Sequence, residues 1–341
     1  MVKVPTRMRL EIEEIPMAVD RLLTEGAPAD RQALKRIPSD VPFLLSVARG
    51  SSDHACTFLK YASELMLGLP MASVGPSVAS VYGVRIKANG AVCFAVSQSG
   101  KSPDIVRLTR SLTESGAMSV AITNDPASPL AEASNVTLPI CAGPENSVAA
   151  TKTFVTSLVA GLWLIAEMKN DTDLIRAIRT LPDHLEAAIG CDWSAVGHAV
   201  TGNSAYTLGR GPSWAISNEA ALKFKETCRI HAESYSSAEV LHGPVSIVGP
   251  EFPVIAFAAA DAAEASIAEV ADALADKGAN VFVTSPKVRK ALPLPHRRTG
   301  HWLTDPISTI VSFYSAVESI ALSRGIDPDT PRHLNKVTET V

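Results

Sequence analysis

Residues 91–103 read AVCFAVSQSGKSP, an apolar run that opens into serines, a glycine and a proline. A short continuous apolar run bounded by turn residues is typical of a strand buried on both faces, as in a parallel sheet. The helical pattern Pro103 to Glu114 follows, and Gly116-Ala117 then precede a second apolar run, Ser119 to Thr123. This order predicts a strand, a helix and a second, parallel strand.

An internal repeat extends this unit along the chain. Arg49-Gly50-Ser51-Ser52 ends one apolar run, and Arg210-Gly211-Pro212-Ser213 ends another, 161 positions later. The apolar run Val254 to Ala258, an alanine-rich helical pattern and the run Asn280 to Thr284 then repeat the second half of the unit. Two copies of one βαβ-rich unit predict a duplicated α/β sandwich, each copy a parallel sheet covered by helices.

Further segments flank and join the two copies. A helical pattern lies near Leu10 to Glu25, a connector with Pro182 near Thr180 to Ala195, and a helix near Pro306 to Arg324. Gly325 to Val341 contains two prolines and ends in mostly polar residues, which predicts a non-regular tail. The predicted division is a helical arm at 1–40, domains at 41–190 and 191–327, and a tail at 328–341.

The composition is that of an ordinary globular protein and argues against several classes. With 46% hydrophobic and 19% charged residues, 341 residues suffice for two cores. The formal net charge of −4 gives no basic surface for nucleic acid, and no polybasic run marks a membrane surface. The apolar run Thr153 to Ala166 is too short to cross a bilayer, so we expect a buried helix. Five scattered cysteines form no CxxC, which favours a reducing cytoplasm over disulfides or zinc.

Two serine-rich loops follow strands of the first copy. Ser97-Gln98-Ser99-Gly100-Lys101-Ser102 precedes the helix that starts with Pro103, and Ser51-Ser52 also begin a helix. Hydroxyls and free backbone N–H groups at helix starts hold phosphate, and neighbouring parallel strands bring their loops to one sheet edge. We therefore expect a small phosphorylated molecule here. An ordinary serine-rich turn is the plain alternative, and the P-loop spacing of nucleotide-binding proteins is missing.

Residues 218–243, NEAALKFKETCRIHAESYSSAEVLHG, concentrate charged residues that apolar packing does not require. In a helix, Glu219, Lys223 and Glu226 stand at i, i+4 and i+7 and share one face. This arrangement suits proton transfer. An exposed, ion-paired helix face is the simpler alternative.

The remaining features predict neither a metal nor a cofactor. His231 and Glu233 lack a convincing third metal ligand, so we expect them to pack or to form hydrogen bonds. The GRGPSW segment that starts at Gly209 has Trp214 where a dinucleotide fingerprint needs its third glycine. Lys152 is expected either to position the binding site or to lie on the surface.

Several motifs occur in the order found in one protein family. They are MRLEIEEIP at Met8 to Pro16, RGSS at Arg49, SQSG at Ser97, AGPENSVAATKTF at Ala142 to Phe154, GRG at Gly209, ALKFKE…HAESY…E…HGP ending at Pro244, and DPDTPRHLNK ending at Lys336. The sequence resembles the sugar isomerase (SIS) family in its double-domain form, which includes the isomerase half of glucosamine-6-phosphate synthase. The resemblance implies two tandem flavodoxin-like SIS domains, a C-terminal tail that closes over the active site, and a homodimer with a shared active site.

The resemblance also implies roles for the residues that match the family's motifs. The sugar-phosphate positions correspond to Ser52, Ser97, Gln98, Ser99 and Ser102, and Val148 lies in the loop that contacts the sugar. Glu226 corresponds to the base that moves a proton between C1 and C2, and His242 to the histidine that opens the sugar ring. Lys336 corresponds to the lysine that forms a Schiff base with a ketose. Lys223 and Glu219 share the helix face of Glu226 and complete the expected set.

The expected reaction is a deamination. The chain begins where the isomerase half begins, with no glutaminase segment before it, so glutamine-dependent synthesis is not expected. The leading interpretation is an enzyme that converts glucosamine 6-phosphate and water into fructose 6-phosphate and ammonia. Asn335, where the synthase has alanine, and the differing tail Val337 to Val341 leave the substrate open. A deglycase of a fructosamine phosphate is the second hypothesis. A noncatalytic sugar-phosphate sensor is the third, although a sensor has no use for Glu226, His242 and Lys336 together.

Overall fold

The computed structural model describes residues 4–334 and 336, which form two compact units. The first unit holds residues 17–145 and 152–179, together with Leu334 and Lys336 near the end of the chain. The second unit holds the N-terminal residues through Pro16, the segment 146–151 and residues 180–333. The domain limits drawn from the repeat stay a prediction.

Strands and helices alternate through the first half of the chain. In chain order the elements are α1 (Arg7–Glu13), α2 (Ile15–Glu25), α3 (Ala27–Arg36), β1 (Leu44–Val47), α4 (Ser51–Met66), β2 (Met71–Ser73), α5 (Ser77–Ser80), β3 (Val92–Val96), α6 (Pro103–Glu114), β4 (Met118–Thr123), α7 (Pro129–Glu132), β5 (Val136–Pro139), α8 (Lys152–Lys169) and α9 (Thr172–Arg179).

The second half repeats this alternation. Its elements are α10 (Leu181–Ile189), α11 (Ser194–Ala199), β6 (Ser204–Gly209), α12 (Pro212–Cys228), β7 (His231–Ser236), a 3-10 helix (Pro244–Ile247), β8 (Pro253–Ala256), α13 (Glu264–Ala275), β9 (Asn280–Val283), β10 (Leu292–Pro293) and α14 (Asp305–Ser323).

Each unit contains a five-stranded parallel sheet with the same strand order. The first sheet reads β2-β1-β3-β4-β5 and the second reads β7-β6-β8-β9-β10. The two strand orders are the same when each strand of the first copy is matched with the equivalent strand of the second copy, β1 with β6 through β5 with β10. This is the flavodoxin-like order, in which ligands bind beyond the carboxyl ends of the strands. The predicted fold of two tandem flavodoxin-like α/β domains is therefore confirmed.

Helices cover both faces of each sheet. In the first unit, Leu45, Val47 and Cys93 pack in one core with residues of α6, while α8 packs against α4. In the second unit, Tyr206 and Leu208 pack in one core with residues of α13, while α14 packs against α12. The residues of β1 and β3 are buried along their whole length, because neither face of these strands meets water.

The structure shows how two further segments noted in the sequence are folded. The apolar run from Thr153 lies in α8, where every residue from Lys152 to Ala166 is buried. The predicted connector contains the helix α10, which tolerates Pro182 because the proline stands in its first turn. Within residues 4–334 and 336, no helix has the length and apolar character needed to cross a membrane.

Candidate active site

The two serine-rich loops lie at one edge of the first sheet. Strands β1 and β3 are parallel neighbours, with Val47 opposite Ala95, and each runs directly into a loop that begins a helix. The structure thus brings to one edge the residues expected at the phosphate, which are Ser52, Ser97, Gln98, Ser99 and Ser102. Helix starts at such an edge offer N–H groups and the positive end of the helix dipole to an anion.

Hydrogen bonds within the chain shape the loop after β3. The backbone N–H of Gly100 donates to Oγ of Ser97 at 3.2 Å, and that of Lys101 donates to Oγ of Ser99 at 3.3 Å. Gly100 has a φ of +61°, and a Cβ there would lie 2.5 Å from the Cβ of Ser128. Both the left-handed backbone and the close approach therefore require glycine at this position.

The helix α4 begins directly after a glycine with positive φ, and the equivalent glycine of the second copy shares this conformation. Gly50, directly before α4, has a φ of +55°, and its repeat equivalent Gly211, directly before α12, has +59°. Ser51 and Ser52 form the first turn of α4. The sharp turn at Gly50 lets strand β1 lead straight into the helix, which places these serines at the sheet edge.

An ion pair that the sequence does not predict links the two loops. The guanidinium of Arg49, after β1, pairs with a carboxylate oxygen of Asp104 in the first turn of α6. The Asp104 side chain is fully buried, whereas that of Arg49 is 46% exposed. The two residues are 55 positions apart, and only the pairing of β1 with β3 brings them together.

A charged row runs along α12 in the second unit. Nζ of Lys223 lies 3.2 Å from Oε1 of Glu219 and 2.5 Å from Oε2 of Glu226. Glu219 and Lys223 are buried, whereas the Glu226 side chain is 20% exposed. The hydroxyl of Tyr314, on α14, donates to Oε1 of Glu219 at 3.0 Å. The alternative of an exposed, ion-paired helix face is therefore wrong.

The surroundings of Lys223 keep its side chain charged. Burial by itself lowers the pKa of this ammonium, but Glu219 and Glu226 outweigh burial and raise the pKa above its ordinary value. A buried ammonium between two carboxylates holds both in place, since moving either one would leave an unpaired charge in the interior. The row thus presents one partly exposed carboxylate, that of Glu226, in a fixed position.

His242 and Val148 lie in loops of the second unit. His242 is exposed in the turn after β7, where its backbone N–H donates to the carbonyl of Glu239 at 2.9 Å. Val148 is half-buried in the segment 146–151. The buried carboxylate of Glu11 holds this segment by accepting from its first two backbone N–H groups. Sequence reasoning does not single out Glu11, and its place in the MRLEIEEIP motif is the available signal.

Lys336 lies in the first unit beside a buried carboxylate. Its Nζ is 2.9 Å from Oε2 of Glu145, whose side chain is fully buried, while the Lys336 side chain is 26% exposed. Glu145 is a further residue that sequence reasoning misses. The predicted departure at Asn335 and the tail Val337 to Val341 lie outside the described residues. From Gly325 to Leu334 the chain forms only turns and irregular structure, as predicted for the tail.

Lys152, His231 and Glu233 lie in different environments. Lys152 is buried and donates to the carbonyl of Pro144 at 2.5 Å, so it is not a surface lysine. The His231 side chain is 75% exposed and that of Glu233 is 45% exposed, and the Tyr235 hydroxyl donates to Oε2 of Glu233 at 2.7 Å. This carboxylate raises the pKa of Tyr235 to about 12. The part of the chain that the structure describes holds no group of three or more His, Cys, Asp or Glu placed for a metal ion.

Comparison with known proteins identifies the family. The SIS domain matches residues 43–167 and 201–322, which contain all ten strands of the two sheets, both serine-rich loops and helix α12. The chain belongs to the SIS domain family. Each of the two matched segments corresponds to one copy of the repeat.

Curated relatives of this SIS protein are similar over nearly its whole length. It is 31% identical over 340 residues to the glutamine–fructose-6-phosphate aminotransferase of Sulfolobus acidocaldarius, and 33% identical over 355 residues to that of Aeropyrum pernix. Each match covers 97% of this chain but only 56% and 57% of the respective relative. The chain therefore spans little more than half the length of these relatives.

Solved structures agree with the family. A Silicibacter pomeroyi DSS-3 protein, described provisionally as a phosphosugar isomerase, is 61% identical with a TM-score of 0.92, covering 95% of this SIS protein and 100% of that chain. A glucosamine-6-phosphate deaminase of Thermotoga maritima has a TM-score of 0.79 at 19% identity, covering 98% and 100% of the two chains. At that identity the second likeness shows the shared fold alone.

Proposed function

We propose that this protein is an aminosugar-phosphate deaminase that converts glucosamine 6-phosphate and water into fructose 6-phosphate and ammonia. The charged row on α12 is the observation that carries the proposal. A ligand-binding module needs no buried ammonium between two carboxylates, whereas a proton-transfer enzyme needs one carboxylate with a fixed position and access to its substrate. Glu226, held by Lys223 and 20% exposed, meets that need.

The serine-rich edge of the first sheet supports a phosphorylated substrate. Ser52, Ser97, Gln98, Ser99 and Ser102 would bind the phosphate through hydroxyl, amide and backbone N–H groups. Binding energy gathered at the phosphate, which does not react, can hold the sugar carbons in position for chemistry. The curated relatives are named for fructose 6-phosphate, which favours a hexose phosphate among phosphorylated guests.

The proposed steps use this chain's own side chains. His242 opens the sugar ring by proton exchange, which suits an imidazole near neutral pH. Glu226 takes the proton from C2 of the open-chain aminosugar and returns it to C1, which leaves an imine at C2. Water adds to that imine, ammonia leaves, and the carbonyl of fructose 6-phosphate remains. Lys336 would form its own imine with the ketose, while Val148 contacts the sugar and Glu219 supports Lys223.

We also propose a homodimer in which the loop of His242 serves the neighbouring subunit's active site. The exposure of His242 supports this arrangement, because a histidine that opens a sugar ring must be covered by something when substrate is bound. Mixing an inactive His242→Ala subunit with an inactive Glu226→Gln subunit should restore activity if each site draws on two chains. Activity that stays absent in the mixed dimer contradicts the shared site.

The direct test is to incubate the purified protein with glucosamine 6-phosphate and to measure ammonia and fructose 6-phosphate. Equal amounts of ammonia and fructose 6-phosphate are expected, and the Glu226→Gln variant should release neither product. Turnover of a fructosamine phosphate without ammonia from glucosamine 6-phosphate would favour the deglycase instead. Tight binding of either sugar phosphate with no turnover would favour the sensor.

A further inference from the structure

The buried carboxylate of Glu145 and the ammonium of Lys336 form an ion pair between residues 191 positions apart. Their distance of 2.9 Å is that of a charge-assisted hydrogen bond. Both residues belong to the first unit. The pair therefore attaches the end of the described chain to the segment that leads into α8.

Other bonds hold Glu145 rigidly. Its Oε1 accepts from the backbone N–H of Thr153 at 3.1 Å, and its Oε2 accepts from the Thr153 hydroxyl at 2.7 Å. Thr153 stands in the first turn of α8, a helix whose residues are buried through Ala166. Next to it, Lys152 donates to the carbonyl of Pro144 at 2.5 Å. Glu145 is thus a fixed acceptor for the ammonium of Lys336.

We propose that Glu145 is the positioning residue for Lys336, docking the C-terminal tail on the first unit through the ion pair. A buried carboxylate strongly favours a cation at hydrogen-bond distance, because its charge has little water to stabilise it. Lys336, near the chain end, supplies such a cation. The ion pair thereby holds the Lys336 ammonium at one place.

The ion pair also provides a way for Lys336 to become a nucleophile, and this chemical role of the pair rests on the proposed function. Imine formation needs the neutral amine, so Nζ first gives one proton to Oε2 of Glu145. The amine adds to the C2 carbonyl carbon of fructose 6-phosphate, and the carbonyl oxygen takes up one proton from the added amine and the proton held by Glu145, and leaves as water. In sum, an ammonium and a ketone become a protonated imine and water, with no net proton gained or lost.

The docking is tested by cleavage after the exposed Arg332 with an arginine-specific protease, well below the Tm of every variant. Glu145→Gln keeps an acceptor for Thr153 but removes the charge, and Lys336→Met removes the partner. Each variant should be cleaved about ten-fold faster than the parent, with little further increase in the double variant, because both remove one interaction. Thr153→Val is the matched control: it loses the hydroxyl contact with Glu145 but keeps the ion pair, and its cleavage should match the parent's.

The chemical part is tested by borohydride trapping of fructose 6-phosphate on Lys336 between about pH 6 and pH 9. The Glu145→Gln variant should trap far less adduct than the parent near neutrality and recover as the pH rises, because solvent must then take the proton. Trapping equal to the parent's at every pH overturns the positioning role, as does unchanged cleavage after Arg332. If the parent releases no ammonia from glucosamine 6-phosphate while Glu145→Gln still frees the tail, the proposed function fails and the docking stands.

Discussion

Nζ of Lys223 lies 2.5 Å from Oε2 of Glu226, so a fully buried ammonium fixes the one partly exposed carboxylate of its row. The same ammonium also contacts Glu219, which itself accepts a hydrogen bond from Tyr314. Because both ends of the row are restrained, the Glu226 carboxylate has little freedom to turn away from a substrate. Catalytic groups gain rate from this kind of fixed placement.

Replacing Glu226 by Gln should remove chemistry and spare binding. The amide keeps the shape of the side chain but cannot accept a proton, so exchange of the sugar C1 and C2 protons with solvent should stop. Exchange is measured by NMR in deuterated buffer, and phosphosugar affinity by calorimetry. Exchange within a few fold of the parent's would exclude Glu226 as the base.

Replacing Lys223 by Met should lower stability much more than Glu226→Gln does. The change leaves the fully buried Glu219 without this cation, and breaking a buried pair from one side costs about 3–5 kcal/mol. Chemical denaturation of both variants gives the comparison. Equal free energies of unfolding in Lys223→Met and the parent would show that Glu219 is neutral in the folded protein.

Replacing Ser52 or Ser99 by Ala should weaken binding of fructose 6-phosphate more than it lowers the stability of the protein. Each hydroxyl lost from a phosphate contact should cost about 1 kcal/mol or somewhat more, which is roughly five-fold in Kd. Ser77→Ala, at the exposed start of α5, is the control. Parental affinity in both active-site variants would place the phosphate elsewhere.

Replacing Gly100 by Ala should be more harmful than replacing Gly83 by Ala. Both glycines have nearly the same left-handed φ, +61° and +63°, so the backbone cost is matched. A Cβ on Gly83 meets no atom within 4 Å, whereas one on Gly100 would overlap Ser128. Gly100→Ala should therefore lower the Tm further and also weaken phosphate binding, because the loop must shift. Equal Tm values for the two variants would contradict the close packing of this loop.

The stability of the second unit should fall in mild acid through His296. Burial lowers the pKa of this imidazole and Arg298 lowers it further, which outweighs the hydrogen bond to the Leu294 carbonyl and the carboxylates of Asp305 and Glu264. In the unfolded chain His296 binds a proton near its ordinary pKa of 6.5, whereas in the folded chain it binds one only at lower pH. The neutral His296 therefore contributes to the free energy of unfolding above pH 6.5, and this contribution is lost as the pH falls below that value.

His296→Gln should flatten this dependence. Chemical denaturation at several pH values below and above 6.5 measures the slope, with the exposed His231→Gln as control. A parent and a His296→Gln variant with the same slope would show that another group causes the acid sensitivity.

Local sequence pattern is sufficient for the main elements of this fold. Continuous apolar runs predict β1, β3, β6 and β8, because strands covered on both faces have no polar side. The edge strands β2 and β7 are not predictable in the same way, since β2 has three residues and β7 reads HAESYS, which contains no apolar run. The two-residue β10 is defined only by its pairing with β9.

The sequence by itself determined the duplicated strand-loop-helix unit, the serine-rich loops at its strand ends and the i, i+4, i+7 row of α12. These features depend on spacings of a few residues, because the regular geometry of helices and strands places residues at such spacings on one helix face or at one edge of a sheet. Only the tertiary structure decided which charges are buried and with whom they pair. The side chains packed around α12 bury Lys223. Arg49 pairs with Asp104, and Lys336 pairs with Glu145, although the partners are far apart in the sequence. The desolvation that gives these pairs their strength depends on the whole surrounding fold and leaves no local pattern in the sequence.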